Sequence, residues 1–415
     1  MNISKISRSI VVVIFVAFVV FLGYLDVISL FQKVEGTVVT SNLIKLGYAV
    51  LLCALSLIYV YIKDKLYRMK IKRKITFIYR YIYISIVIIV ANILVIYKSM
   101  SDVTIRSFVI YMLFSFIIGF AIKKIVFNVS KSDVLSVFGM FAYVMLPNVL
   151  QNKSMYLNSI FITFGIIGVV LVLQLIIDEL KQRGIRTKKY LALSVILGCF
   201  VGICMLMGIS ILVFVTISIA LVLMTTRLDN THISFSKKIM TSITQAKRET
   251  LYKIERINIP KLIISILIFL AVAIIVFFVG KTVIKILPAN IVHQQVIQNV
   301  VENIKKSTDL HISFNMQNIV EYGKSLVLLS KTYYMMFIIY IILVEVLAIL
   351  LRRRYDTKSS VMKLVLLLVF INGAIFNINV IYLHPVIITL LVLIAIVNTT
   401  NIYLNREERI KMLIA

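Results

Sequence analysis

The stretch LIISILIFLAVAIIVFFV, from Leu262 to Val279, runs for 18 residues without a charged side chain. Its apolar residues do not alternate with polar ones, as they would in the short strands of a membrane barrel. An α-helix needs roughly 20 apolar residues to cross the hydrocarbon core of a bilayer. The stretch therefore predicts a transmembrane helix, and Ile82–Ile96 has the same character.

Similar apolar runs recur along the whole chain of 415 residues. The chain is 61% hydrophobic and 15% charged, with a mean hydropathy of +1.03, whereas a soluble globular protein is about half apolar. The first run follows Lys5 and Arg8 and lacks a small-x-small cleavage site, which predicts an uncleaved first helix. We expect an all-α fold, a polytopic transmembrane bundle of about 12 spans.

The basic residues, which give a net charge of +28, gather in particular loops. Lys63–Arg80 is the first of these loops, and Asp178–Tyr190, Thr225–Pro260 and Arg352–Arg354 follow on the same predicted side. Basic loops of membrane proteins face the cytoplasm, so both termini are predicted to be cytoplasmic. The pattern predicts contact with anionic membrane lipids and no nucleic-acid partner.

The early spans have predicted limits that the structure can test. Span four is expected to end before Lys123 and to lead into a short interfacial segment. The expected segments are Leu43–Ile62 (span two), Tyr81–Tyr97 (three), Ile105–Ile122 (four), Ile125–Ser132 (interfacial) and Val134–Val149 (five).

Three domains are predicted from this pattern. Residues 1–280 form a transmembrane module of spans one to nine, residues 281–332 a long outer loop, and residues 333–415 the C-terminal spans. In the outer loop, valines recur at every fourth position from Val292 to Val300, which predicts an amphipathic helix on the outer leaflet. Capping the bundle and binding substrate are both open as roles for this helix.

Side chains that could bind a divalent cation also lie in the long outer loop, but their spacing is not diagnostic of a metal site. They are His293, Glu302, Asp309 and His311. We keep His293, Glu302 and His311 as outer-loop candidates and predict neither a metal site nor a required cofactor.

Motifs of soluble enzymes, such as a phosphate-binding glycine loop or Gly-x-Ser-x-Gly, are missing from the sequence. The three cysteines all lie in apolar runs, which makes a disulfide framework improbable. Polar side chains suited to chemistry gather instead on the predicted outer face. They are Asp26, Glu35, Lys98, Asp102, Arg106, Lys153, Lys324 and Lys331.

Three features carry a resemblance to a known family. They are Asp26 directly after the first span, the passage Phe120–Lys124 followed by Phe141–Pro147 with the pattern Phe-Ala-x-x-x-x-Pro, and the helix from Leu191 with Gly198 and Gly202. Over the stretch up to Thr225 the chain resembles the GT-C class of membrane glycosyltransferases, the protein-mannosyltransferase and aminoarabinose-transferase superfamily.

The resemblance implies a polyprenyl-phosphate sugar as donor and a glycan or protein acceptor outside the cytoplasm. Asp26 would be the general base on the acceptor hydroxyl, with inversion at the anomeric carbon, and Glu35 is the candidate for a second acid. Cationic side chains would bind the phosphate of the lipid carrier. The candidates for that role are Lys98, Arg106 and Lys153.

The chain also departs from the family pattern. Asn158 stands where an Asp is common, and Met205–Gly208 replaces a stretch in which many members have a Lys. The departures indicate a divergent member and leave its catalytic activity open. Heavy use of Ile, Lys and Asn is typical of an AT-rich bacterial genome, so we expect a multi-pass protein of the bacterial plasma membrane.

Two other functions stay open. A polysaccharide repeat-unit polymerase or ligase would also have many spans, but its usual outer-loop arginines are missing from Lys281–Thr332. A transporter or flippase for lipid-linked glycans usually has charged relays in its spans, and these spans are poor in charge. A membrane scaffold without catalytic activity is the remaining alternative.

Overall fold

The structure, a computed structural model, describes ten long segments and a few isolated residues. The segments are 37–69, 73–99, 105–130, 132–150, 153–183, 188–206, 259–286, 335–350, 357–376 and 386–398, with isolated residues in 13–21 and 320–324. Every residue in this set is helical except Met69 and Ser132. The predicted all-α class is therefore confirmed for the described part of the chain.

The helices are numbered in chain order. They are α1 (Thr37–Arg68), α2 (Arg73–Ser99), α3 (Ile105–Ser130), α4 (Asp133–Leu150), α5 (Lys153–Arg183), α6 (Lys188–Leu206), α7 (Ile259–Ile286), α8 (Met335–Leu350), α9 (Thr357–Phe376) and α10 (Val386–Asn398).

Five of the described helices are long and apolar enough to cross a membrane. The candidate spans are Lys45–Lys63 in α1, Tyr111–Ser130 in α3, Ile160–Glu179 in α5, Lys188–Leu206 in α6 and Ile264–Val283 in α7. Shorter apolar stretches occur in α2, α4, α9 and α10. The total of about 12 spans and the orientation of the termini remain predictions.

The predicted interfacial segment Ile125–Ser132 is wrong, because α3 continues without a break to Ser130. Ile125 and Val126 are fully buried, and the side chain of Val126 packs against Gly139 of α4. The apolar face of α3 therefore continues past the two lysines that suggested a boundary. Burial of that face holds this part of the chain in the helix.

The predicted basic loop Lys63–Arg80 is also mostly helical. Helix α1 continues to Arg68, and α2 begins at Arg73, so few residues separate them. Lys and Arg are good helix formers, and a positive-inside pattern does not distinguish a loop from the ends of two helices. Lys63 and Arg80 consequently have helical positions with defined neighbours.

The chain divides into two compact units. Unit 1 comprises Met1–Phe164, Phe314–Leu366 and Gly373–Ala415, and unit 2 comprises Gly165–Ser313 and Leu367–Asn372. The three domains expected from the sequence remain a prediction.

Helix α4 is the buried centre of unit 1. It packs against α1, α2 and α3, and each of its residues from Val134 to Met145 is buried. Close approach to α3 depends on small residues, since a Cβ on Gly139 would lie 3.0 Å from Val126 Cγ2. By contrast, α1 and α2 expose large apolar side chains such as Leu43 and Ile86, as expected of helices that face lipid.

In unit 2, α6 and α7 form a close helix pair. Gly198 and Gly202 of α6 lie against α7, where added Cβ atoms would come within 2.7 Å of Phe269 O and of Val276 Cβ, respectively. Small residues four positions apart let two membrane helices approach backbone to backbone. The glycine pair that entered the family resemblance therefore has a packing role in this fold.

Candidate functional site

Four helices of unit 1 bring a single carboxylate and three cationic side chains to one place, which we call the Asp133 cluster. Its members are Tyr59 and Lys63 near the end of α1, Arg80 near the start of α2, Lys123 in the last third of α3 and Asp133 at the start of α4. Tyr81, next to Arg80, contributes an aromatic ring.

The start of α4 explains the position of the carboxylate. Ser132 is the N-cap: its Oγ accepts a hydrogen bond from the backbone N–H of Leu135 at 3.4 Å, and its carbonyl accepts from Ser136 N at 3.1 Å. Asp133 is therefore the first helical residue, where the helix dipole favours a negative charge. The side chain of Asp133 contacts Tyr59 of α1 and Arg80 of α2.

Oxygen Oδ2 of Asp133 accepts three hydrogen bonds. The hydroxyl of Tyr59 donates at 2.8 Å, the ammonium of Lys63 donates at 3.3 Å, and Nη2 of Arg80 donates as well. The three donors come from α1 and α2, so Asp133 links both helices to the start of α4. Its role in the described structure is to hold cations.

Arg80 is fixed by Tyr59 as well as by Asp133. Its Nε lies 2.9 Å and its Nη2 lies 2.5 Å from the Tyr59 hydroxyl oxygen, which accepts from both. The guanidinium carbon also lies 5.4 Å from the centre of the Tyr59 ring, within the range of a cation–π interaction. The guanidinium group thus has most of its donors committed inside the cluster.

Exposure differs widely among the members of the cluster. Tyr59 is completely buried, while the side chain of Asp133 is 18% exposed and that of Arg80 is 23% exposed. The side chain of Lys63 is 41% exposed. Lys63 is therefore the most exposed of these four side chains.

Lys123 is the third cation and has a different environment. Its Nζ lies 4.8 Å from the centre of the Tyr81 ring, and that ring stacks on Phe120 at 5.7 Å. Both Arg80 and Lys63 are near enough to act on Lys123 electrostatically. Three positive charges against the one negative charge of Asp133 leave the cluster with two positive charges in excess.

The roles of the residues predicted from the sequence remain predictions. Asp26, Glu35, His293, Glu302 and His311 are outside the described residues. Lys98 is at the end of α2, Arg106 is the second residue of α3, and Lys153 is the first residue of α5. Their backbones are described and their side chains are not.

Helix geometry separates these predicted residues from the Asp133 cluster. Arg80 and Lys98 stand at opposite ends of α2, and Arg106 and Lys123 stand toward opposite ends of α3. At 1.5 Å per residue, each pair is about 25–27 Å apart along its helix. This separation is close to the thickness of a bilayer core, about 30 Å. The cluster and the predicted outer residues therefore fit opposite faces of a membrane.

Outside the Asp133 cluster, the structure describes one buried acidic side chain in an ion pair, and it lies in unit 2. Glu179 of unit 2 is 1% exposed and forms an ion pair with Lys189, Oε2 to Nζ, at 2.9 Å, which joins α5 to α6 near the connection between them. In the part of the chain that the structure describes, no three His, Cys, Asp or Glu side chains are grouped closely enough to hold a metal ion.

The sequence does not predict the Asp133 cluster. In the sequence Lys63, Arg80 and Lys123 are explained as orientation signals, and no role is predicted for Asp133. The sequence does contain a signal: Asp133 is an acid at a span edge, shortly after Lys123, Lys124 and Lys131, in a chain with 45 basic and 17 acidic residues. Such an acid needs cationic neighbours once it is partly buried.

No family model, curated protein or solved structure matches this chain. The chemistry of the Asp133 cluster is therefore inferred from its geometry. The cluster has two positive charges more than its carboxylate balances. Cationic side chains form strong hydrogen bonds to anions, so the cluster suits the binding of an anion.

Proposed function

We propose that this chain is a multi-pass protein of the bacterial plasma membrane that transfers a sugar from a polyprenyl-phosphate donor to a glycan or protein acceptor outside the cytoplasm. The observation that carries the proposal is Asp26, which follows the first apolar run on the predicted outer face. The resemblance to the GT-C class of glycosyltransferases supplies the reaction.

The fold of unit 1 supports the proposal in two ways. The passage Phe141–Pro147, part of the resemblance, lies on α4, whose residues up to Met145 are buried at the centre of the unit. Helices α2 and α3 carry Lys98 and Arg106 on either side of a short connection. Two cations at adjacent helix ends suit the phosphate of a lipid carrier, which is costly to bury without partners.

In the proposed reaction, the carboxylate of Asp26 takes the proton of the acceptor hydroxyl. The acceptor oxygen then forms a bond to the anomeric carbon of the sugar, while the bond from that carbon to the phosphate oxygen breaks. Polyprenyl phosphate leaves, and Lys98, Arg106 and Lys153 offset its charge. Attack from the face opposite the leaving group inverts the anomeric centre, and Glu35 is the candidate for the second acid.

The experiment compares Asp26→Asn with the unchanged protein in membrane vesicles supplied with a radiolabelled polyprenyl-phosphate sugar. Asn keeps the size of the side chain and removes the basic oxygen, so we expect transfer to fall at least 100-fold, as for loss of a general base. Membrane insertion should not change. Asp102→Asn is the matched control, because it alters an acid in a neighbouring outer turn.

Full transfer by Asp26→Asn would remove Asp26 from the mechanism and the proposal with it. A polymerase or ligase should show growth of glycan chains in the same vesicles.

One observation favours a second function, a flippase for a lipid-linked glycan. Helices α2 and α3 carry cationic residues toward both of their ends, so a phosphate could be held on either membrane face. A flippase would move the labelled lipid between leaflets without transferring its sugar. It would also be insensitive to Asp26→Asn, which separates it from the transferase.

A further inference from the structure

The Asp133 cluster carries positive charge that its own carboxylate does not balance. We infer that it binds the phosphate headgroup of an anionic lipid, in the leaflet beside the predicted cytoplasmic ends of α1, α2 and α3. Along α2 and α3 the cluster lies about 25–27 Å from Lys98 and Arg106, and the inference does not depend on the proposed sugar transfer.

The charges give the first argument. Arg80 and Lys63 both contact Asp133, Lys123 lies near enough to these two cations to feel their charge, and Tyr59 is completely buried. Like charges repel strongly where water is scarce, and each partly buried cation costs free energy unless an anion is near. The phosphodiester of one anionic lipid supplies one negative charge and would reduce the excess from two positive charges to one.

The available donors give the second argument. Arg80 already donates to Tyr59 and to Asp133. Lys63 uses one of its three N–H groups on Asp133, and Lys123 contacts an aromatic ring and, among the described residues, no carboxylate. The ammonium groups of Lys63 and Lys123 thus have donors to spare beside the guanidinium group. The side chain of Lys63 is 41% exposed, so its ammonium group is accessible.

The position along the helices favours a lipid over a free anion. Lys63 is the last residue of the candidate span in α1, and Lys123 lies two turns before the end of α3. Lysines at such positions extend their ammonium groups to the level of the headgroups. Exposed apolar side chains of α1 and α2, such as Ile58 and Ile82, continue from the cluster and would contact the acyl chains.

Neighbouring lysines provide matched controls. Lys124 follows Lys123 directly, is exposed, and has its Nζ 5.9 Å from the centre of the Phe127 ring. Lys65 is two residues from Lys63, is exposed, and lies over the Tyr61 ring. Replacing either control removes the same charge from the same helix and leaves the Asp133 cluster intact.

The test uses the full chain in detergent micelles with increasing phosphatidylglycerol, and thermal unfolding reports binding. We expect the lipid to raise the Tm, and equal amounts of zwitterionic phosphatidylcholine to leave it unchanged. In Lys123→Gln the half-saturating phosphatidylglycerol should increase about tenfold, which corresponds to about 1.4 kcal/mol. In Lys124→Gln it should change less than twofold, and Lys123→Arg should restore binding.

Equal half-saturation in Lys123→Gln and Lys124→Gln would overturn the inference, as would no Tm rise in the unchanged protein. Inorganic phosphate that reproduces the rise in a Lys123-dependent manner would show a free-anion site and contradict the lipid assignment. If Lys123→Gln does not fold, the pair Lys63→Gln and Lys65→Gln gives the same comparison. Loss of binding in Lys63→Gln alone supports the site, and equal loss in both contradicts it.

Discussion

The hydroxyl of Tyr59 connects two parts of the Asp133 cluster. Its oxygen accepts a hydrogen bond from Nε of Arg80 at 2.9 Å, and its O–H donates a hydrogen bond to Oδ2 of Asp133 at 2.8 Å. Tyr59 is completely buried, so its hydroxyl has no exposure to water that could replace these hydrogen bonds. A buried donor or acceptor that loses its partner costs more than the hydrogen bond contributes, and Arg80 and Asp133 both depend on this hydroxyl.

At the scale of this residue we predict that Tyr59→Phe lowers the free energy of unfolding by about 1–3 kcal/mol. The ring is kept, so the loss comes from the hydroxyl. Tyr61→Phe is the control, since Tyr61 is 64% exposed and a surface change of this size usually stays within about 0.5 kcal/mol. Unfolding by SDS in mixed micelles measures both variants. Equal stability of the two would show that the Tyr59 hydroxyl does not hold the cluster.

The sequence indicates single residues of this kind only in part. Asp133 is conspicuous as an acid that follows the basic residues Lys123, Lys124 and Lys131, and the positive-inside rule assigns Lys63, Arg80 and Lys123 to the same predicted side of the membrane. The rule only counts Lys and Arg residues on each side of the membrane, however. It does not indicate that four helices meet there, because that meeting depends on packing between residues as far apart as Tyr59 and Asp133.

At the scale of the element, the contact between α6 and α7 depends on glycine. A Cβ on Gly202 would lie 2.7 Å from Val276 Cβ and 2.9 Å from Ala273 O. Backbone atoms cannot move aside as a flexible side chain can, so the two helices would have to separate. Without hydrophobic attraction between helices in lipid, this close packing is a main source of their association.

We therefore predict that Gly202→Ala destabilises unit 2 by about 1–3 kcal/mol through overpacking. Gly47→Ala in α1 is the matched control, because no heavy atom lies within 4 Å of its added Cβ. It should be neutral or should gain up to about 1 kcal/mol from helix propensity. Thermal unfolding of the purified variants measures the difference. A Gly202→Ala protein as stable as Gly47→Ala would contradict the close contact.

The helices themselves could be predicted well from the sequence. Apolar length predicts α1, α3, α5, α6 and α7 because the membrane requirement is simple. Their ends could not, since α1, α2 and α3 continue into basic segments that hydropathy assigns to loops. In α3 the continuation follows from buried contacts such as that of Val126 with Gly139, which only the tertiary structure contains.

For the whole molecule, we propose that two charged regions lie on opposite membrane faces. Asp26 and the cations proposed to bind the lipid carrier are predicted to lie outside, and the Asp133 cluster is predicted to lie inside. The helical rise separates Arg80 from Lys98 by about 27 Å, which agrees with this division. Both the proposed transfer reaction and the proposed lipid site need the division, because each requires its own leaflet.

The orientation can be measured directly by cysteine labelling. Single cysteines are introduced as Ser29→Cys in the predicted outer loop and Lys65→Cys in α1, after Cys53, Cys199 and Cys204 are replaced by Ala. A membrane-impermeant maleimide is then applied to intact and to permeabilised cells. We expect Ser29→Cys to react in intact cells and Lys65→Cys to react only after permeabilisation. Labelling of both in intact cells, or the reverse pattern, would contradict the two-sided arrangement.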